Sequence, residues 1–264
     1  MDKKWVIGNW KMHGSLASNA LRIEALLAGY AVYAAQLERV SMVVLPPLVY
    51  LGQMQEKLKA QKDQENIQLG AQLVAAAEQG AYTGQCSAAM LREFSVSIVL
   101  VGHSECRQYL GFDASALGLQ LRQVLLQGMR PVLCIGEGAA ERRSGRTQEI
   151  LWAQLDVLKA LGQEFAATLW ERLIVAYEPV WAIGTGDSAT PEYIQQIHEW
   201  IQQQLGVVGK PPEVRVPVLY GGSVSAANVR AIMALAAVSG VLVGGASLQA
   251  DGFLELSRCV AETQ

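Results

Sequence analysis

Leu173–Ala189 reads LIVAYEPVWAIGTGDSA. Its opening run, Leu173–Tyr177, is apolar and β-branched, the composition of a short strand buried on both faces. A lone carboxylate, Glu178, follows, and then Pro179. The proline has no amide hydrogen and biases Glu178 away from helical angles, so the strand ends there. Beyond it come Val180, Trp181, Ala182 and Ile183, then Gly184 and Gly186 around Thr185. An apolar tip between a proline and glycines fits a loop that shuts over a site. A carboxylate at the end of the buried strand beneath it is a candidate general base. A solvated glutamate at an ordinary strand end satisfies the same residues, so the rest of the chain has to decide.

Working outward, eight apolar runs recur: Trp5–Trp10, Val40–Leu45, Ile67–Ala71, Val96–Val101, Pro131–Ile135, Leu173–Tyr177, Val216–Tyr220 and Gly240–Val243. Helix-length segments with apolar residues at three- and four-residue spacing lie between them. Leu151, Leu155, Leu158 and Leu161 make one such face; Ile194, Ile197, Ile201 and Leu205 make another. Thr190-Pro191-Glu192 opens the latter with a capping residue, a first-turn proline and an early acid. Ser225 and Asn228 mark another helix start after Gly221-Gly222. Strands alternating with helices predict a parallel sheet. The 264 residues divide into eight units of 33, a comfortable βα repeat, with no linker or composition break. The pattern predicts a single α/β domain over residues 1–264, closed as a (β/α)8 barrel; an open doubly wound sheet fits the pattern as well.

Composition narrows the function classes. At 51% hydrophobic and 17% charged, the chain can bury a large core. Its 21 basic and 24 acidic residues leave a charge of −3, with no basic footprint for nucleic acid. Any phosphorylated ligand must then be held by local devices. Cys86, Cys106, Cys134 and Cys259 are far apart without a CxxC, which predicts free thiols in a reducing, cytoplasmic setting. The apolar run in MDKKWVIGNWK is too short before Asn9 and Lys11 for a secretory signal. Ala231–Ala250 carries no charge and has the length of a membrane helix. Ser239, Gly240, Gly244, Gly245, Ser247 and Gln249 divide it, however, into a helix end, a strand and a loop, which predicts buried core.

The predicted strand ends carry the chemistry. Strand one ends Gly8-Asn9-Trp10-Lys11. A lysine just past a buried strand gains most from facing an anion, although a surface lysine with a packed stem fits equally. Asn9 can donate a hydrogen bond into the same space. Strand four ends Val101-Gly102-His103-Ser104-Glu105. A helix starting at Ser104-Glu105 would hold the His103 ring neutral. His13, His103 and His198 are too dispersed for a metal site, and His198 reads as a helix-surface or packing residue. At Cys134-Ile135-Gly136-Glu137-Gly138 the glycines read as a tight turn, Glu137 as structural and Cys134 as a small packed hydrophobe. Gly221-Gly222-Ser223 and Gly244-Gly245-Ala246-Ser247 each read as glycine pairs leading into a helix, whose backbone amides make a phosphate site. Gly102-His103-Ser104-Glu105-Cys106 imitates a nucleophile elbow, but Cys106 stands where the sharp turn needs glycine.

In this order, Gly8-Asn9-Trp10-Lys11-Met12, Gly80-Ala81-Tyr82-Thr83-Gly84, Gly102-His103-Ser104-Glu105, Cys134-Ile135-Gly136-Glu137, the run Ala176–Gly186, Tyr220-Gly221-Gly222-Ser223-Val224 and Gly244-Gly245-Ala246-Ser247 resemble the triosephosphate isomerase family over essentially the whole chain. The resemblance implies a (β/α)8 barrel that interconverts dihydroxyacetone phosphate and glyceraldehyde 3-phosphate through an enediolate, in glycolysis and gluconeogenesis, without metal or organic cofactor. It implies Glu178 as base, neutral His103 as carbonyl polariser and proton shuttle, and Lys11 and Asn9 as stabilisers of the developing charge. Amides of Gly184, Ser223, Gly244 and Gly245 would hold the phosphate, with Ser104 and Glu105 in support.

The family is similarly implied to be a homodimer whose Thr83 loop inserts beside the partner's site. Here the sequence departs from the pattern: Gln85 stands where an acid is usual and Cys106 where an arginine is usual. Both charges of an expected intersubunit ion pair are absent together, so a neutral replacement contact is expected. A related isomerase of a four-carbon ketose phosphate would use the same residues. A non-catalytic phosphate-binding barrel would not need Glu178, His103 and Lys11 together, and a serine hydrolase built on Ser104 lacks a partner set.

Overall fold

A computed structural model of the chain describes residues 3–60, 67–183 and 189–263. Eight parallel strands close on themselves in sequence order: β1 Lys4–Asn9, β2 Val40–Leu45, β3 Ile67–Ala71, β4 Ile98–Val101, β5 Arg130–Ile135, β6 Ile174–Tyr177, β7 Val218–Tyr220 and β8 Gly240–Val243. The seam is the pairing of β1 with β8, where Trp5 to Gly8 lie opposite Gly240 to Val243. Each crossover returns through helix to the next parallel strand, which is the (β/α)8 barrel and not the open sheet. Strand limits differ from the apolar runs by a residue or two. β7, for instance, begins after Pro217, which has no amide to give to a ladder.

The strand period of two divides the core. Trp5 and Ile7, Val43 and Leu45, Ile98 and Leu100, Val132 and Cys134, Ile174 and Ala176, Leu219 and Leu242 pack together inside the barrel. Their alternates, including Val6, Val44, Val99, Leu133, Val175, Val218 and Val241, pack outward under the helices. One further step along the inward series reaches Asn9, Gly136, Glu178, Gly221 and Gly244 at the carboxyl rim. The base candidate is thus the next inward residue after Ile174 and Ala176.

The helices follow their sequence signals. Thr190 caps Pro191–Val207, its side chain accepting from the Tyr193 amide, and Ile194, Ile197, Ile201 and Leu205 are buried. Leu151, Leu155, Leu158 and Leu161 are all buried too, but on two consecutive helices, Thr147–Leu155 and Val157–Phe165, that meet at Asp156. The uncharged stretch becomes the helix Val229–Met233, β8 and a 3-10 turn at Gly245–Ser247. Among the described residues no helix is long and apolar enough to cross a membrane.

The glycine pairs correct one expectation. Neither leads directly into an α-helix. After Gly221-Gly222 the chain makes its own turn, in which Asn228 accepts from the Ser225 amide and donates to Ser223 O, and the helix begins only at Val229. Gly244 leads into the single 3-10 turn. Close packing requires glycine at 221 and 222: a Cβ on Gly221 would stand 2.9 Å from Glu178 Cγ, and one on Gly222 would collide with the Tyr220 hydroxyl.

Candidate active site

Glu178 sits at the end of β6, 2% exposed, and its carboxylate is met by hydrogen-bond donors. Oε2 accepts from the Ser104 amide at 3.0 Å, and Oε1 lies 3.1 Å from His103 Nε2. The Cys134 thiol is wholly buried on the inward face of β5; burial and then the Glu178 charge push its pKa well above the usual thiol range and keep it protonated. A buried carboxylate is costly unless its oxygens are paired, and these donors supply the pairing.

His103 is placed by the turn before it. Gly102 has φ +74, a left-handed value that swings the chain from β4 into the helix Ser104–Leu110. His103 caps this helix: its Nδ1 accepts from the Glu105 amide at 3.3 Å. A ring nitrogen that accepts has no proton of its own, so the remaining proton is on Nε2 and the ring is neutral. Nε2–H donates to Glu178. Asn9 Nδ2 is 3.3 Å from the same nitrogen, with its amide hydrogens left for another acceptor.

Lys11 completes the group from the first βα loop. Its backbone has φ +52, strained for a residue with a side chain, and its amide donates to Asn9 Oδ1 at 2.9 Å. Gln72 Nε2 donates to Lys11 O at 2.9 Å and to Leu45 O at 2.8 Å. The ammonium lies 2.6 Å from Glu105 Oε1. The side chain runs beside Gly244, where a Cβ would stand 3.2 Å from Lys11 Cε.

Asn9, Lys11, His103 and Glu178 share one pocket of about 270 Å³. Gly221, Gly222, Ser223, Gly244 and Gly245 line it as well, with Ile183, Val224, Leu242 and Ala246 as its apolar members. The lining combines a carboxylate, an imidazole N–H and an ammonium with small, backbone-rich residues. Gly184 lies outside the described residues. Thr83 and Gln85 lie on an exposed loop away from the pocket.

The loop after Glu178 is anchored from below. Val180–Ala182 forms a 3-10 turn, and the wholly buried Glu137 accepts from Trp181 Nε1 at 2.9 Å, Tyr193 OH at 3.2 Å and Tyr177 OH at 3.1 Å. Burial, and then the Glu137 charge, push Tyr177 far above the usual phenol range and keep it a donor. The guanidinium of Arg142 stacks 3.5 Å over the Trp181 ring. His198 is fully buried in contact with Tyr177 and Tyr220, a packing role and not a surface one. Burial drops its pKa to about 4. Cys106 is half-buried, and burial, then Glu105 and Glu178, push its thiol up to about 11, which leaves little thiolate at neutral pH.

Sequence reasoning missed Cys134 as a thiol within reach of the Glu178 charge and Gly221 as the space beside the carboxylate. Both lay in view: Cys134 continues the inward series of β5, and Gly221 stands two residues past the inward Leu219. Ser104 reaches Glu178 through its backbone amide.

With this geometry in place, comparison with known proteins gives a uniform result. The triosephosphate isomerase family model matches residues 4–260. The chain is 44% identical over 257 residues to the triosephosphate isomerase of Delftia acidovorans, covering 97% of this chain and 98% of that one. It is 44% identical over 260 residues to that of Paracidovorax citrulli, covering 98% and 99%. To that of Cupriavidus taiwanensis it is 42% identical over 259 residues, covering 98% and 100%.

Proposed function

The chain belongs to the triosephosphate isomerase family, and from that premise we propose how its own residues interconvert dihydroxyacetone phosphate and D-glyceraldehyde 3-phosphate. Glu178 takes a proton from the carbon beside the carbonyl and returns it to the neighbouring carbon. His103, neutral with its proton on Nε2, donates to the carbonyl oxygen and moves protons between the two substrate oxygens as the enediolate forms and collapses. Asn9 donates to the same oxygen, and the Lys11 ammonium opposes the developing negative charge while Glu105 fixes its position. The backbone of Ser223, Gly244 and Gly245, with Gly184, holds the phosphate. Ser104 and Glu105 support the base and the lysine.

The observation that carries this reading is the buried Glu178 carboxylate, poised by His103 Nε2 and the Ser104 amide in the wall of a pocket that also receives Lys11. Substrate entry exchanges the His103–Glu178 bond for bonds to the substrate, leaving the carboxylate free to act. A positioned base contributes about 10²–10⁴-fold, and donors aimed at the enediolate oxygens act in a site shielded from water. No step calls on a metal or organic cofactor.

The same reading makes residues 1–264 one domain working in the cytoplasm, with glycolysis and gluconeogenesis as its setting, and the active form a homodimer joined through the Thr83 loop. Three neighbouring βα loops support the dimer by exposing large apolar side chains: Met12 is 95% exposed, Val49 82% and Tyr82 53%. Gln85 and Cys106 then make a neutral contact in place of an ion pair. The activity is tested by coupled turnover of glyceraldehyde 3-phosphate with phosphoglycolate as competitor. Saturable turnover blocked by phosphoglycolate supports the proposal, and its absence in folded protein refutes it. A monomer at micromolar concentration in analytical ultracentrifugation would contradict the dimer.

A further inference from the structure

We propose that Gln154 is a positioning residue for the base Glu178, acting through the glycine turn after β5; this rests on Glu178 being the base. Gln154 lies on the helix Thr147–Leu155, outside the pocket. Its carboxamide spans one residue of backbone: the Gly136 amide donates to Gln154 Oε1 at 2.7 Å, and Gln154 Nε2 donates to Gly136 O at 3.0 Å. Gly136 is the first residue past β5, so the side chain takes the place of a neighbouring strand where the ladder has ended.

The residues on either side of Gly136 hold the Glu178 backbone. The Glu178 amide donates to Ile135 O at 2.7 Å, and the Val180 amide donates to Glu137 O at 3.0 Å. Between these two bonds the Glu178 carbonyl presses on Gly136 so closely that a Cβ there would overlap it. The base is thus bracketed by the carbonyls before and after the residue that Gln154 clamps. Glu178 has no covalent link to this turn, so its register against His103 and Ser104 depends on the turn keeping its place. A glutamine pairing with a part-buried backbone N–H and C=O also satisfies two polar groups, which is its merely structural role. The positioning role differs in its consequence for the reaction.

The experiment compares Gln154→Met, which removes both bonds, with Gln154→Glu, which keeps an acceptor for the Gly136 amide but sets a carboxylate against Gly136 O. For both, kcat and KM are measured well below the melting temperature, with glycerol 3-phosphate as a competitive probe of phosphate binding. Misplacing a reacting group by about 1 Å costs on the order of 10²-fold, so kcat falls by about 10- to 100-fold while KM and probe affinity stay within about twofold. Combined with Glu178→Gln, either substitution gives no further loss. Parental kcat in the Gln154 variants, or an equal fractional loss on the Glu178→Gln background, overturns the inference. If Gln154→Met does not fold, Gln154→Glu carries the same comparison. Parental turnover in Glu178→Gln overturns the assignment of the base itself, whereas an inactive Glu178→Gln beside fully active Gln154 variants overturns only this inference.

Discussion

Gly221→Ala places a methyl group against the base from the opposite side to Gly136. The new Cβ would stand 2.9 Å from Glu178 Cγ and 3.3 Å from Tyr177 O. Carbon atoms pack at about 3.5–4.0 Å, so something must give by roughly 0.6–1 Å. The Gly221 backbone is tied, since its amide donates to Tyr177 O at 2.8 Å. The Glu178 side chain therefore moves, toward or past its bonds with His103 and the Ser104 amide. Overpacking of this kind costs about 1–3 kcal/mol of stability. A displacement near 1 Å costs on the order of 10²-fold in rate, equivalent to about 2.7 kcal/mol at about 1.36 kcal/mol per tenfold. Coupled turnover at 25 °C, with a thermal melt on the same preparation, is the assay. The expected result is a folded protein with kcat reduced about 10- to 100-fold. A folded variant with parental kcat would refute the close approach of Gly221 to the base.

Two further outcomes follow from titrating groups. His198 is held near pKa 4 in the fold by burial, against an ordinary value of 6.5. Between those values the unfolded chain binds the extra proton, so stability falls as pH drops from about 6.5 to 4, by on the order of 3 kcal/mol. Urea unfolding at several pH values checks this: His198→Phe should show a shallower acid decline than the parent, and an identical decline would refute it. Cys106, with its thiol pushed up to about 11, stays protonated at neutral pH. Iodoacetamide at pH 7.5 should label it more slowly than a cysteine in an unfolded control, as read by peptide mass spectrometry, and labelling as fast as in that control would contradict the burial effect.

The barrel was legible because each strand is a short β-branched run ended by glycine, proline or a polar residue, and buried parallel strands leave little else to choose. Glu178, His103 and Lys11 were legible for a related reason: each is a polar residue set just past an apolar run. The supports of these residues were harder to read. Gln154 sits among ordinary helix polar residues, and only the fold brings it to Gly136. The break of the leucine face at Asp156 left no proline or glycine as a mark. The glycine pairs misled because glycine before a capping residue reads as a helix start, whereas here it makes room for Glu178 and the Tyr220 hydroxyl.

The central claim is that the Glu178 carboxylate moves the proton between the substrate carbons. Its most direct test is Glu178→Gln, which keeps the side-chain shape and removes the basic oxygen. Two donors, His103 Nε2–H and the Ser104 amide, would then face one amide oxygen and one NH₂ group. The expected variant is a folded protein that binds glycerol 3-phosphate within about twofold of the parent and loses at least about 10²-fold in kcat. Turnover within a few-fold of the parent would contradict it.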